Sequence, residues 1–357
     1  MQIAQVTMRI AILWTHLSGY LNASLTELKR RGIRLFVSAY GSSSKAPFSN
    51  EAFRWLENET CMNWNEGEVD YLSMLHELEK FDPNVILVSG WNQLAYLRAA
   101  RRFKGRAIRV LCFDTPWLGT LRQWIARLSS RYWLTSLFER SFVPGERQVQ
   151  MALRLGFPAA NVIQGLYAPD TDRIIAMAPS TVSRRPQFLF VGRLSHEKGI
   201  QVLADAYREY RGSVENPWSL IIVGTGPLVS ILRGEEGVDI RGFVQPESLP
   251  HCLYEASCLV APSIVEPWGV QISEGATAGL PIIATTACGS AVHLVRNGFN
   301  GYLVARRDPS DLARAMLAIH NCSDLDTFSA HSRQLAGQFT PHIWAENLIR
   351  SCVATAT

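Results

Sequence analysis

The chain has 357 residues, more than one hydrophobic core usually organises, so two domains are expected. Apolar residues make up 47% and charged residues 18%, a balance that excludes a disordered chain. The net charge is only +4, nucleic acid is not an expected partner, and no apolar run approaches the ~20 residues of a membrane-spanning helix.

Residues 1–7 read as a ragged extension before the strand-like run Met8 to Trp14, which Thr15, His16 and Ser18 soon interrupt. A signal peptide is not expected there. Further strand-like runs follow at 35–40, 85–90, 108–113, 141–144 and 161–166. Helical spacing links Leu21, Leu25 and Leu28 up to Gly32, and Tyr71, Leu72, Leu75 and Leu78 up to Asp82-Pro83. Residues 168–186 carry three prolines and no lasting apolar period, so an interdomain linker is predicted there. A second series of strands reads at 188–192, 219–224, 238–244, 257–263, 281–287 and 301–305. Thr340-Pro341 resembles a cap and a first helical residue, which starts the last helix near Pro341. Alternating strands and helices predict an α/β protein with parallel sheets. The domains are expected at 1–167 and 187–338, with a C-terminal helix in 339–357 placed to cross back to the first domain.

The seven cysteines form no C-x-x-C pair, and several lie inside apolar runs. They read as reduced, which points to the cytoplasm and away from a zinc site.

Two stretches carry the chemistry. In Glu266-Pro-Trp-Gly-Val-Gln-Ile-Ser-Glu274, the proline holds Glu266 extended and lets a helix begin at Pro267 or Trp268. The free amides of Trp268, Gly269 and Val270 would then face an anion such as a diphosphate. Glu274, roughly two turns on, suits the hydroxyls of a ribose. In Val191-Gly-Arg-Leu-Ser-His-Glu-Lys-Gly199, Arg193 and Lys198 leave a strand end. Two cations there would neutralise a departing nucleoside diphosphate.

With the later turns, these stretches resemble the family-four retaining glycosyltransferases, the glycosyl transferases group 1. The motifs run in order as GRLSHEKG (192–199), GTGPL (224–228), GFV (242–244), PSIVEPWGVQISE (262–274) and NGFNGYLV (297–304). The resemblance implies a GT-B fold, two Rossmann-like domains facing each other across a donor-binding cleft. It also implies that Arg193 and Lys198, with Gly192, Gly224 and Gly226 around them, hold the donor diphosphate. Glu266 would meet the transferred sugar, Glu274 the ribose, and the backbone near Val244 the base. Gly19 in THLSGY resembles the family's phosphate-covering loop, with one glycine in place of two. Where the family often has a His-Asp pair near the sugar, this chain reads Phe113-Asp114. His293 stands where a Glu is usual before the Asn-Gly turn, a change expected to touch local packing alone.

The implied activity is metal-independent hexosyl transfer with retention. The donor would be a nucleotide-diphosphate sugar and the acceptor a glycan or lipid-linked glycan, as in polysaccharide biosynthesis. A sugar-nucleotide epimerase, a phosphorylase and a non-catalytic scaffold are the rival readings. Asp170-Thr-Asp172 lies in the linker and is not expected to bind a metal, and Gly224-Thr-Gly226 lacks the third glycine of a dinucleotide fingerprint, so no cofactor is expected. From Arg98 to Arg147, eleven Lys/Arg face three Asp/Glu, an excess of eight. Trp124 joins Leu121, Ile125 and Leu128 in a helical stripe expected to lie in the core. The second reading of this stretch is a peripheral contact with an anionic membrane face.

Overall fold

A computed structural model describes residues 8–40, 59–181 and 184–353. The predicted extension at 1–7 lies outside them. The chain divides into two compact units, one of Met1–Ala168 with Pro341–Thr357, the other of Pro169–Thr340.

The first unit contains β1 (Arg9–His16), α1 (Gly19–Arg30), β2 (Arg34–Tyr40), β3 (Thr60–Trp64), α2 (Tyr71–Phe81) and β4 (Val85–Ser89). It continues with α3 (Leu94–Arg102), β5 (Ile108–Cys112), α4 (Leu121–Leu137), β6 (Arg140–Val143), α5 (Glu146–Leu155) and β7 (Val162–Gln164). All seven strands pair in parallel, in the order β3-β2-β1-β4-β5-β6-β7. Helices cover both faces of such a sheet, so its strands are apolar on both sides, which is why they read as continuous runs. In β1, Ile10, Ile12 and Trp14 pack on one face and Ala11 and Leu13 on the other.

The second unit contains α6 (Thr171–Ala176), β8 (Gln187–Val191), α7 (Ile200–Arg211), β9 (Ser219–Val223), α8 (Val229–Leu232), β10 (Val238–Gly242) and α9 (Leu249–Glu255). Then come β11 (Cys258–Ala261), α10 (Val270–Thr277), β12 (Ile282–Thr285), α11 (Ala291–Leu294), β13 (Gly301–Val304), α12 (Pro309–His320) and α13 (Leu325–Ala336). Its six strands run parallel in the order β10-β9-β8-β11-β12-β13. Strand order reverses between β1 and β4 in one sheet and between β8 and β11 in the other. In open α/β sheets ligands bind at the carboxyl ends of strands at such reversals.

The last helix, α14 (Pro341–Val353), belongs to the first unit. Trp344 lies in the core there, 5.4 Å from the Phe142 ring, and its indole N–H donates to Leu166 O at 2.8 Å.

Four expectations need correction. The sequence did not announce β3, an edge strand whose residues are only partly buried and carry no apolar alternation. The linker predicted at 168–186 holds α6, capped by Asp170, and from Pro169 on it belongs to the second unit. Helix α10 starts at Val270 rather than Pro267 or Trp268, because Gly269 takes a left-handed φ of 97° and serves as its cap. The α4 stripe points outward: Leu121 is 77% exposed, Ile125 59%, Leu128 69% and Trp124 46%. The core side of α4 is instead Gln123, Ser130, Leu134 and Leu137, with Ser130 Oγ donating to Leu155 O at 2.6 Å.

Candidate functional site

In the second unit the loops that follow β8, β9 and β11 lock into one another. Gly192 N donates to Val223 O (2.9 Å), Leu194 N to Thr225 O (2.8 Å) and Leu228 N to Leu194 O (3.0 Å). The loop after β11 joins them, since Ile264 N and Val265 N both donate to Glu197 O (2.8 and 3.1 Å). Gly224 and Gly226 are required by this contact: a Cβ on either would strike the carbonyl of Gly192 or Leu194. Gly224 N also donates to Gly242 O (2.7 Å), which brings the end of β10, two residues before Val244, against the same loops. Four of the five sequence motifs thus share one end of one sheet.

Their charged side chains are already partnered. Lys198 Nζ pairs with Glu266 Oε2, and the two side chains keep only 18% and 10% of their exposure. Gln271 Nε2 approaches the same oxygen at 3.5 Å. Arg193 is 42% exposed and pairs with Glu197, four residues on across the loop, at 2.6 Å. The backbone beyond Glu266 is pinned from the 288–290 turn: Gly289 N donates to Glu266 O (3.1 Å) and Ser290 N to Trp268 O (2.9 Å).

Trp268 offers its backbone alone, because its indole is 2% exposed and packs 5.2 Å from Phe339 and 5.7 Å from His293. His293, which departs from the family pattern, is part of that aromatic packing. The amides of Gly269 and Val270, at the very start of α10, have no preceding helical turn to bond to, whereas Ile272 N already donates to Gly269 O at 3.1 Å.

Glu274 lies five residues into α10, facing α6. Burial first, and then the carboxylate of Asp170, push its pKa up to about 7. Asp170 itself caps α6 through Arg173 N (3.1 Å) and pairs with the Arg173 guanidinium at 3.1 Å. The Asn297–Val304 motif is a structural turn: Asn297 Oδ1 accepts from Leu303 N, and Asn300 is buried and bonded to Arg296 N and Leu294 O.

The first unit has its own cavity, of about 700 Å³, at the carboxyl ends of β1, β4 and β5. Asp114 lines it, and Tyr167 donates its hydroxyl to Asp114 Oδ2 at 3.1 Å. Burial, and then Tyr20 and Asp114, hold the Tyr167 hydroxyl well above the ordinary phenol range, so it stays a donor. His16, Trp91 and Arg122 also line the cavity, and sequence reasoning had singled out none of them for a site. The switch between β1 and β4 could have pointed there. Gly19 opens α1 next to Tyr20, behind the cap Ser18.

The segment that carries these motifs also matches known proteins. Residues 185–321 match the family described as glycosyl transferases group 1. An uncharacterized glycosyltransferase of Methanocaldococcus jannaschii is 29% identical over 132 residues, 35% of this chain and 33% of that protein. The chain matches less than half the length of that relative, as it does of the D-inositol 3-phosphate glycosyltransferase of Geodermatophilus obscurus, 30% identical over 47% of this chain and 40% of that one. Among solved structures, Anabaena HepE in complex with UDP and glucose superposes with a TM-score of 0.73 at 16% identity, over 97% of this chain and all of that one. That likeness shows a shared GT-B fold.

Proposed function

We propose, from the premise that this chain belongs to the group 1 glycosyltransferases through residues 185–321, that it moves a hexose from a nucleotide-diphosphate sugar to a glycan or lipid-linked acceptor with retention. The observation that carries the reading is the knot of strand-end loops around the Lys198–Glu266 pair, at the point where the strand order of the second sheet reverses.

Glycosyl transfer passes through an oxocarbenium-like state, positive at the sugar and negative at the departing phosphate. Arg193 and Lys198 answer the negative side, assisted by the amides at the start of α10. Glu266, held by Lys198 and Gln271, addresses hydroxyls of the transferred sugar. Glu274 holds the ribose diol, and the backbone at Val244 meets the base. In the first unit Asp114, oriented by Tyr167, binds a substrate hydroxyl in the cavity. The leaving phosphate takes the acceptor's proton, so no covalent nucleophile and no metal is needed. The work of such an enzyme is assembly of polysaccharide on the cytoplasmic side of a membrane.

Thermal stabilisation by a panel of UDP-, GDP- and ADP-sugars, followed by assay of donor cleavage, tests the reading. A bound donor raises stability by mass action. A panel that produces neither shift nor cleavage overturns it.

A further inference from the structure

Helix α4 is exposed on the side where a sheet-covering helix is usually polar. Leu118, just before it, is 68% exposed, Leu121 77%, Leu128 69% and Tyr132 79%. Within the helix, Leu121, Trp124, Ile125, Leu128 and Tyr132 recur every three or four residues, so they form one stripe roughly 16 Å long at 1.5 Å per residue, with Leu118 just before its start. The buried face of the helix is satisfied without them, so the stripe is not a core face left out of place.

Its flanks are cationic. Arg122, Arg127 and Arg131 are exposed, α4 contains no acidic residue, and among the described residues none of the three pairs with a carboxylate. The Arg127 guanidinium lies over the Trp124 ring at 5.0 Å, Trp124 meets Trp117 edge-on at 5.4 Å, and Arg154 lies over Trp117 at 5.2 Å. Tryptophan and arginine arranged this way suit a boundary between apolar chains and charged headgroups. The same helix borders the cavity of the first unit through Arg122, Gln123 and Ala126.

We propose that α4 docks this protein on an anionic lipid bilayer, its stripe seated at the headgroup boundary and its arginines on the lipid phosphates. A lipid-borne acceptor would then reach the cavity from the surface on which the helix rests. That last step depends on the transferase reading, whereas the docking does not. Charge decides between occupants: a second copy of the chain would bring the same arginines against themselves in a two-fold contact. An anionic bilayer complements them.

The experiment is co-sedimentation of the full chain with phosphatidylglycerol vesicles and with phosphatidylcholine vesicles, at low and physiological salt. Binding should require phosphatidylglycerol and fall with salt, as the screening length shortens to ~8 Å. L121Q/L128Q and R127E/R131E should each weaken binding at least ~tenfold. Both alter exposed side chains, so far-UV circular dichroism should be unchanged. A wild-type protein that stays in the supernatant with anionic vesicles at low salt overturns the proposal, as do variants that bind like the wild type. So does a wild-type dimer in sedimentation velocity that L121Q/L128Q makes monomeric while vesicle binding persists. Donor-induced thermal stabilisation, measured without vesicles, reads the transferase assignment separately.

Discussion

Lys198 and Glu266 stand 68 positions apart and meet as an ion pair where β8 and β11 end, side by side in the second sheet. Each is largely withdrawn from water, so each neutralises a partner that would otherwise be buried alone. In the proposed transferase reading, an incoming diphosphate would have to share Lys198 with Glu266, which would couple recognition of the phosphate to the position of the carboxylate.

That coupling separates two substitutions that the sequence treats alike. Lys198→Ala and Arg193→Ala should each lower turnover at least a hundredfold, on the order of 3 kcal/mol of transition-state stabilisation. Lys198→Ala should also cost stability, about 1–3 kcal/mol, because Glu266 loses its partner. Arg193→Ala should leave stability nearly unchanged, since an exposed pair contributes little. Steady-state assays and thermal melts of the two variants check this, and near-normal turnover in either one removes it from the site.

Glu274 predicts a pH dependence. Its pKa rises from the usual carboxylate value to about 7 on folding, so the folded state holds the proton more tightly. The resulting stability is fully present below about pH 4.5 and is lost as pH rises through 7, roughly 3 kcal/mol at most. Glu274→Gln removes this dependence, so the melting temperature of the variant relative to wild type should climb between pH 5 and pH 8. A difference that stays flat with pH means that Glu274 does not titrate there.

Chelation gives a third expectation. Activity should survive EDTA, because fixed cations take the place of a divalent ion, and Asp170 is engaged as a helix cap with Arg173. Loss in EDTA that manganese restores would return Asp170 and Asp172 to consideration as ligands.

The fourth concerns α14. Trp344 is 1% exposed and bonded to Leu166 O, so Trp344→Ala should destabilise the first unit by about 3–5 kcal/mol through the cavity it leaves. Urea unfolding followed through the first unit should shift to lower concentration, while donor-induced stabilisation of the second unit is kept. An unchanged midpoint would contradict the packing.

By itself the sequence determined twelve of the thirteen strands described and the strand-end loops that carry Arg193, Lys198 and Glu266. Parallel strands buried on both faces must be apolar runs, and a loop that has to pass close to its neighbours must carry glycine, so both leave a local record. Strand β3 left none, being an edge strand that is half polar. Other facts depend on residues far apart in the chain, and no local pattern encodes them: Asp170 beside Glu274, Tyr167 on Asp114, and the bond from Trp344 to Leu166 O that seats the returning helix. The α4 stripe shows the limit most plainly. Periodicity places Leu121, Trp124, Ile125 and Leu128 on one side of a helix, but the direction of that side is set by what packs opposite, and the core had already closed on Gln123, Ser130, Leu134 and Leu137.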